Sequence, residues 1–544
     1  MSAKYDAFEK NPANYVALSP LSLIKRTAAV FPERVAVIHG ARRYSWADVF
    51  SRCRRLSSAL NNLGVTKGDT VAVMAANTPE MVECHYGVAA SGGVLNTINT
   101  RLDAATIAYI LEHGEARVLI SDIAFARTIS AALEMLGPDH GITVIDIVDS
   151  EAEDDGTRLG SMDYESLLER GDAEAEWRLP DDEWDAMALN YTSGTSGKPK
   201  GVVYHHRGSM LMTMGTITDW SLPRHICYLY TVPLFHCNGW GHTWVVTALA
   251  GTIVCNRAVT PKAIYDAIAD HNVSHFGGAP IVLGMIINAN DADRRAFSHK
   301  VEVMTAGAPP PAAILEGIEN LGFNVTQVYG LTETYGHTVM CSWNEDWDDV
   351  DFATRASIKA RQGVAMTMTE EATVLDPETK QPVPRDGATI GEIALRSNTI
   401  MKGYLKNPDA TAQSFDGGYF SSGDLAVMHP NGYIEVKDRL KDIIISGGEN
   451  ISSVEVENAL HRHPEVAIAA VVAKPDEKWG EVPCAFVELK DGATVTAEEL
   501  VTFSRQHLPG FKIPKQVVFG EIPKTATGKL QKFELRGKIK RGEV

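Results

Sequence analysis

The sequence predicts an α/β protein with a large N-terminal domain of doubly wound sheets, a small β subdomain attached to it, and a small α+β domain at the C-terminal end. Three observations lead there. Short apolar runs alternate with amphipathic ones through most of the chain, and from about Gln362 this gives way to short strands and turns. At 544 residues with 44% hydrophobic content, the chain is too long for one ordinary domain and rich enough for several cores. The charge also breaks near residue 440: residues 441–544 hold 15 Lys and Arg against 15 Asp and Glu, so the whole excess behind the net charge of -18 lies before them. The domains are therefore expected at 1–438 and 439–544.

Taken in order, Asp69–Met74 predicts a strand and Pro79–Ala90 a helix with proline in its first turn. Ala116–Ile120 and Ile142–Val148 predict further strands, a rhythm that gives parallel sheet with crossover helices. The acidic stretch Asp149–Asp155 is expected to be an exposed, solvated loop with no function of its own. Ala186–Tyr191 predicts a strand. Ile226–Asn256 contains no Asp, Glu, Lys or Arg and is long enough to span a bilayer. Pro233, Asn238 and Gly239 break it, and His236 and His242 would sit at the costliest depth, so a buried strand, a turn and a buried helix are expected instead. A helix over Pro261–His271, a second after Pro280, and strands at Val301–Thr305 and Val325–Tyr329 follow. Polar, glycine-bearing loops leave three strands, after Tyr191, Thr305 and Tyr329, and ligands of doubly wound sheets collect at such ends. The last domain reads as strands at Ile443–Ile445, Ala467–Ala473 and Cys484–Leu489, with helices at Val454–His463 and Ala497–Leu508.

The acidic balance argues against a nucleic-acid partner. Seven cysteines without a CxxC pair predict free thiols in a reducing cytoplasm, and no N-terminal segment has the pattern of a secretion signal. Whether the protein forms a homodimer is left open.

The loop Tyr191–Val202, YTSGTSGKPKGV, is built to hold a polyphosphate. Gly194, Gly197 and Gly201 let backbone N–H groups approach anionic oxygens, Thr192, Ser193, Thr195 and Ser196 add donors, and Lys198 and Lys200 add charge. It is not a Walker loop, because two residues separate Gly194 from Gly197-Lys198 and Pro199 stands where a Ser or Thr would hold magnesium. The stretch resembles the phosphate loop of the adenylate-forming superfamily of acyl-CoA synthetases, adenylation domains and luciferases.

Tyr329-Gly-Leu-Thr-Glu-Thr334 resembles that family's second signature. The resemblance implies that Glu333 holds Mg²⁺ against the triphosphate of ATP, with Thr192 as a second ligand, and that Thr332 bonds the phosphate that becomes AMP. Gly307-Ala308-Pro309 resembles the adenine shelf, with Tyr329 as the opposing ring. Asp424 resembles the residue that accepts from both ribose hydroxyls, and Arg439 is implied to donate to the same sugar. Lys441 occupies the family's pivot, which implies that the C-terminal domain is mobile about a hinge there. Gly447 and Gly448 are implied to lie along the arm of coenzyme A. Pro523-Lys-Thr-Ala-Thr-Gly528-Lys529 resembles the last signature, which makes Lys529 the cation aimed at the charge developing during adenylation. These motifs run from about residue 30 to 540 in the family's order. They imply a reaction in which a carboxylate and ATP give acyl-AMP, and a thiol then takes the acyl group.

Phe235-His236-Cys-Asn-Gly-Trp240 resembles short- and medium-chain acyl-CoA ligases, including 3-methylmercaptopropionate-CoA ligase, which is the leading expectation. Butyrate-type or branched short acids are the alternative, and a luciferase-type oxygenase shares every motif. An amino-acid adenylation enzyme is disfavoured because His236 stands where an Asp would pair with a substrate ammonium. His236, Trp240 and Gly330 are the expected acyl contacts. If the chain turns into a helix after Pro233, His236 and Trp240 project from one face, and Trp240 limits the acid to a few carbons.

Overall fold

The structure, a computed structural model, describes residues 8–152, 156–192, 198–307, 312–447, 449–524 and 530–544. Two sheets form the frame. In the first, Ala186–Tyr191, Val94–Thr97, Thr70–Met74, Ala116–Asp122, Thr143–Ile147 and Met162–Asp163 lie side by side and parallel. Thr70–Met74 has the next strand of the chain on one side and the following one on the other, the reversal that makes the sheet doubly wound. Gly201–His205 and Gly403–Tyr404 extend it antiparallel. The second sheet has a parallel centre of Val35–His39, Thr252–Val254, Cys227–Leu229, His275–Gly278, Val301–Thr305 and Phe323–Leu331. Arg42–Ser45 flanks it at one edge, and Gly336–Met340 with Val364–Ala365 at the other.

The sheets share one large apolar core, and the helix Pro79–Ala90 runs through it with every residue buried. Its sequence has no polar face, as a helix enclosed on all sides requires. Its two carboxylates are answered from neighbouring elements, Glu80 by Arg42 at 2.7 Å and Glu83 by Arg52 at 2.6 Å and the Tyr164 hydroxyl at 2.9 Å. Ala104–His113 and Ala126–Leu136 cover the outer face of the first sheet, and Pro261–His271, Pro280–Ile287 and Ala312–Asn320 that of the second. The result is five layers, helices alternating with sheets.

A third, antiparallel sheet of Thr369–Leu375, Gly391–Ser397, Phe420–Met428 and Ile434–Arg439 forms the β subdomain. Beyond it, Val466–Asp476, Gly480–Leu489, Ile444–Ser446 and Gln516–Phe519 make a small sheet with its own apolar clusters under the helices Ser453–His461, Ala497–Ser504 and Lys532–Lys540. The strand Gln516–Phe519 and the last helix were not expected from the sequence.

The acidic stretch after Ile147 corrects one expectation. Asp149 is not solvated: its side chain is buried and accepts from His39 at 2.8 Å, Arg42 at 2.8 Å and Arg257 at 2.9 Å. Arg257 also pairs with the buried Asp122 at 2.6 Å. Local composition misleads here because the countercharges arrive from elements more than a hundred positions away.

Candidate active site

The carboxyl ends of the two parallel sheets face a common region, and the β subdomain closes one side of it. The phosphate-type loop joins two antiparallel strands, with Tyr191 opposite Gly201 and the Thr192 N–H donating to Lys200 O at 3.0 Å. Its base is therefore a closed hairpin. Ser193, Gly194, Thr195, Ser196 and Gly197 lie outside the described residues, as do Ala308, Pro309, Gly448 and Lys529. The two loop lysines are placed: Lys198 lies over the Tyr109 ring at 4.9 Å and Lys200 over the Tyr404 ring at 4.5 Å.

Three of the residues expected at the nucleotide come together. Tyr329 donates its hydroxyl to Asp424 Oδ2 at 2.8 Å, and the strand register sets Asp424 directly opposite Arg439, whose Nε is 3.6 Å from Asp424 Oδ1. Burial and the adjacent Asp424 carboxylate push the Tyr329 phenol well above its usual range, so it stays a neutral donor. Gly307 follows the strand Val301–Thr305 with φ +97°, a conformation suited to glycine. Next to it the sequence reading missed two residues. Thr305 and Gln327 are cross-strand neighbours, both buried, and Thr305 Oγ1 and Gln327 Oε1 have no hydrogen-bond partner among the described residues. Buried polar atoms left open beside Tyr329 and Gly307 suit a polar, planar base.

Thr332 and Glu333 open a single 3-10 turn after the strand Phe323–Leu331. The Tyr204 hydroxyl donates to Thr332 O at 2.7 Å, and the Tyr404 hydroxyl donates to Glu333 Oε1 at 2.9 Å. Glu333 is thus held by the ring on which Lys200 also rests. Among the described residues no group of three or more His, Cys, Asp and Glu side chains could hold a metal ion. The donor set still fits Mg²⁺, which commonly takes one or two carboxylates and completes its shell with phosphate and water.

The segment around His236 departs from expectation. Cys237, Asn238, Gly239, Trp240 and Gly241 all have positive φ, between 42° and 70°, so the chain makes a left-handed turn here and enters the right-handed helix His242–Ala248 only afterwards. His236 and Trp240 consequently do not share a helical face. Each non-glycine residue so placed costs about 1–2 kcal/mol. The turn is held by buried polar groups that the sequence did not flag. Asn77 accepts from the Leu234 N–H at 2.7 Å, while Thr97 and Asn190 donate to Phe235 O at 3.0 and 2.7 Å. His236, half-buried, and Thr332 line a cavity of about 40 Å³ with Asn190, Tyr191 and Phe235. The Cys237 thiol points at Thr332 Oγ1, 3.8 Å away.

Trp240 is not on that wall. It is buried deeper, where the chain has been cleared for it: a Cβ on Gly277 would come within 3.1 Å of its ring, and one on Gly336 within 3.7 Å of its Cα. Gly330 is sterically fixed as well, since a Cβ there would lie 1.7 Å from Gly336 O.

Lys441 is exposed between the β subdomain and the last domain. Partial burial of its amine, then the neighbouring cations of Arg439 and Arg536, push its pKa down to about 8. Gly447, at φ +61°, packs against Trp479, where a Cβ would sit 2.8 Å from the ring. Among the described residues no helix is long and apolar enough to cross a membrane.

Comparison with known proteins gives consistent matches. The profile of the family described as AMP-binding enzyme matches residues 24–405, and that of the AMP-binding enzyme C-terminal domain matches residues 455–529. The chain is 48% identical to an acetate–CoA ligase of Humulus lupulus, over 98% of this chain and 97% of that one. It is 47% identical to a peroxisomal acetate/butyrate–CoA ligase of Arabidopsis thaliana, again over 98% and 97%. Its fold resembles that of the anthranilate CoA ligase AuaEII in complex with anthranoyl-AMP, with a TM-score of 0.86 over 98% of this chain and 100% of that one at 24% identity.

Proposed function

The chain belongs to the AMP-binding enzyme family, and from that premise we propose that it is an acyl-CoA ligase for a carboxylic acid of a few carbons. As an AMP-forming acyl-CoA synthetase it uses ATP with Mg²⁺ and takes coenzyme A as co-substrate. A carboxylate oxygen attacks the α-phosphorus, pyrophosphate leaves, and the coenzyme A thiol then displaces AMP from the acyl adenylate.

In this reading Asp424 and Arg439 grip the ribose, while Tyr329 and Gly307 sandwich the base with Ala308 and Pro309. Thr192, Ser193, Gly194, Thr195, Ser196, Gly197, Lys198 and Lys200 cradle the phosphates. Glu333, with Thr192, holds the metal, which shields the triphosphate when bound, and Thr332 bonds the α-phosphate. Lys529 supplies the charge that stabilises the adenylation transition state, and Gly447 and Gly448 leave room for the coenzyme A arm.

The short-acid assignment rests on one observation, the buried Trp240 whose ring is seated against Gly277 and whose Cα lies against Gly336. The largest side chain available then stands at the end of the acyl pocket that His236 and Gly330 begin. The acetate and butyrate named for the relatives fit such a pocket. A thioether acid, 3-methylmercaptopropionate, gains a sulfur–aromatic contact of about 0.3–1.5 kcal/mol there, and branched acids such as 2-methylpropanoate differ from it by little. The described cysteines are all free thiols, which suits a reducing compartment such as the cytoplasm.

A panel of acids from acetate to dodecanoate, with 2-methylpropanoate and 3-methylmercaptopropionate included, tests the reading. AMP release should peak at two to five carbons and require coenzyme A. A maximum at long chains would remove the Trp240 argument, and equal AMP release without coenzyme A would remove the ligase.

A further inference from the structure

Behind Trp240 lie two histidines that the reaction does not use. His242 opens the helix His242–Ala248 and His337 lies on the strand Gly336–Met340. Both are buried, at 0% and 2% exposure, with ring centroids 5.4 Å apart. The Trp240 ring stands 6.0 Å from the first and 6.3 Å from the second. Burial keeps both imidazoles neutral, with His337 pushed down to about 3 and His242 well below its usual value.

Their neighbours fix which nitrogen carries each proton. Thr216 donates its hydroxyl to Met212 O at 2.8 Å, so at 3.0 Å it accepts from His337 Nε2–H. His337 Nδ1 is then a bare acceptor, with no partner among the described residues. The Tyr228 hydroxyl sits 2.5 Å from His242 Nδ1, the one hydrogen-bond acceptor it meets among the described residues, so its proton points at His242. His242 Nε2–H is then a bare donor, also without a partner among the described residues. A buried donor and a buried acceptor left open on neighbouring, edge-on rings are complementary to one O–H group, and covering them with hydrocarbon leaves both hydrogen bonds unmade.

We propose that His242 and His337 form the polar end wall of the acyl pocket, a specificity-determining pair that accepts water or a tail hydroxyl and rejects an alkyl tail reaching past Trp240. The inference rests on the reading that Trp240 closes that pocket. It makes chain-length selection twofold: the tryptophan excludes by size, and the pair excludes by leaving its hydrogen bonds unmade.

The test compares heptanoate with 6-hydroxyhexanoate, in which a hydroxyl replaces the terminal methyl, using AMP formation by full-length enzyme. Trp240→Ala should admit both acids, with kcat/KM for the hydroxy acid at least equal to that for heptanoate. Adding His337→Leu should swing the ratio at least tenfold toward heptanoate, while His337→Asn, which keeps an acceptor near the Nδ1 position, should preserve it. If Trp240→Ala admits longer acids but the ratio is the same in all three histidine backgrounds, the pair does not face the tail and the proposal falls while the Trp240 reading stands. If Trp240→Ala leaves the chain-length profile unchanged, both fall. Should the leucine variant not fold, the single variant decides alone: a preference for heptanoate of tenfold or more overturns the proposal.

Discussion

Glu333 shows how a motif can single out a side chain without showing what supports it. The Tyr-Gly-Leu-Thr-Glu-Thr run marks the carboxylate because its turn geometry is local. The ring that aims it, Tyr404, comes from 71 positions further on. The same holds for Tyr329 and Asp424, named individually from short motifs but joined at 2.8 Å only through the β-subdomain register. Thr305 and Gln327 carried no motif at all, and only their burial without partners picks them out. A test at this scale follows from charge. Glu333→Gln still accepts from Tyr404 but no longer supplies an anionic metal ligand, so activity should fall and be partly restored as Mg²⁺ is raised. Titrating Mg²⁺ at saturating ATP checks it, and a variant with the wild-type magnesium dependence would contradict the assignment.

At the scale of elements, periodicity located the central strands and the Pro79–Ala90 helix within a few residues, because buried runs in these layers are simply apolar. It failed where the structure is decided by distant partners. The left-handed turn Cys237–Gly241 has only two glycines to suggest it, and the residues that lead into it, Leu234 and Phe235, are held by Asn77, Thr97 and Asn190 from the facing sheet and its loop. The Asp149 cluster is the second failure, and it yields a stability prediction. It ties the ends of strands from both sheets through His39, Arg42, Arg257 and Asp122. Asp149→Asn leaves Arg42 and Arg257 short of one buried carboxylate, so unfolding of the large domain should become easier by about 3 kcal/mol. Burial alone would raise the Asp149 pKa, but the His39 hydrogen bond and the nearby Arg42 outweigh it and hold the carboxyl below its ordinary 3.8. Its contribution is therefore complete above that value and lost as pH falls through the folded-state value. Urea midpoints of wild type and variant should differ by a constant amount from neutral pH down to about 4 and converge below it. A gap that widens in acid would show that Asp149 is not the titrating group.

For the whole molecule, the question is whether the last domain turns about residue 441. Among the described residues the contacts across that point are few and polar. Asp438 of the β subdomain accepts from the Ser453 hydroxyl at 2.6 Å and from its N–H, so a carboxylate before the hinge caps the first long helix after it. Ser452 donates to Lys437 O at 2.6 Å. Apolar packing would resist rotation throughout its course, whereas a handful of directional bonds can be given up together and replaced by water. Among the described residues the Lys441 N–H makes no backbone hydrogen bond, so proline at 441 removes no ladder contact and acts only by fixing φ. Lys441→Pro should therefore fold with wild-type thermal stability yet uncouple the half-reactions: adenylate formation, followed by pyrophosphate release, should persist, while thioester formation from supplied acyl adenylate should fall by tenfold or more. If a folded Lys441→Pro enzyme loses both half-reactions equally, or neither, the chain does not pivot at this residue, and the polar contacts between Asp438 and Ser453 are a permanent joint.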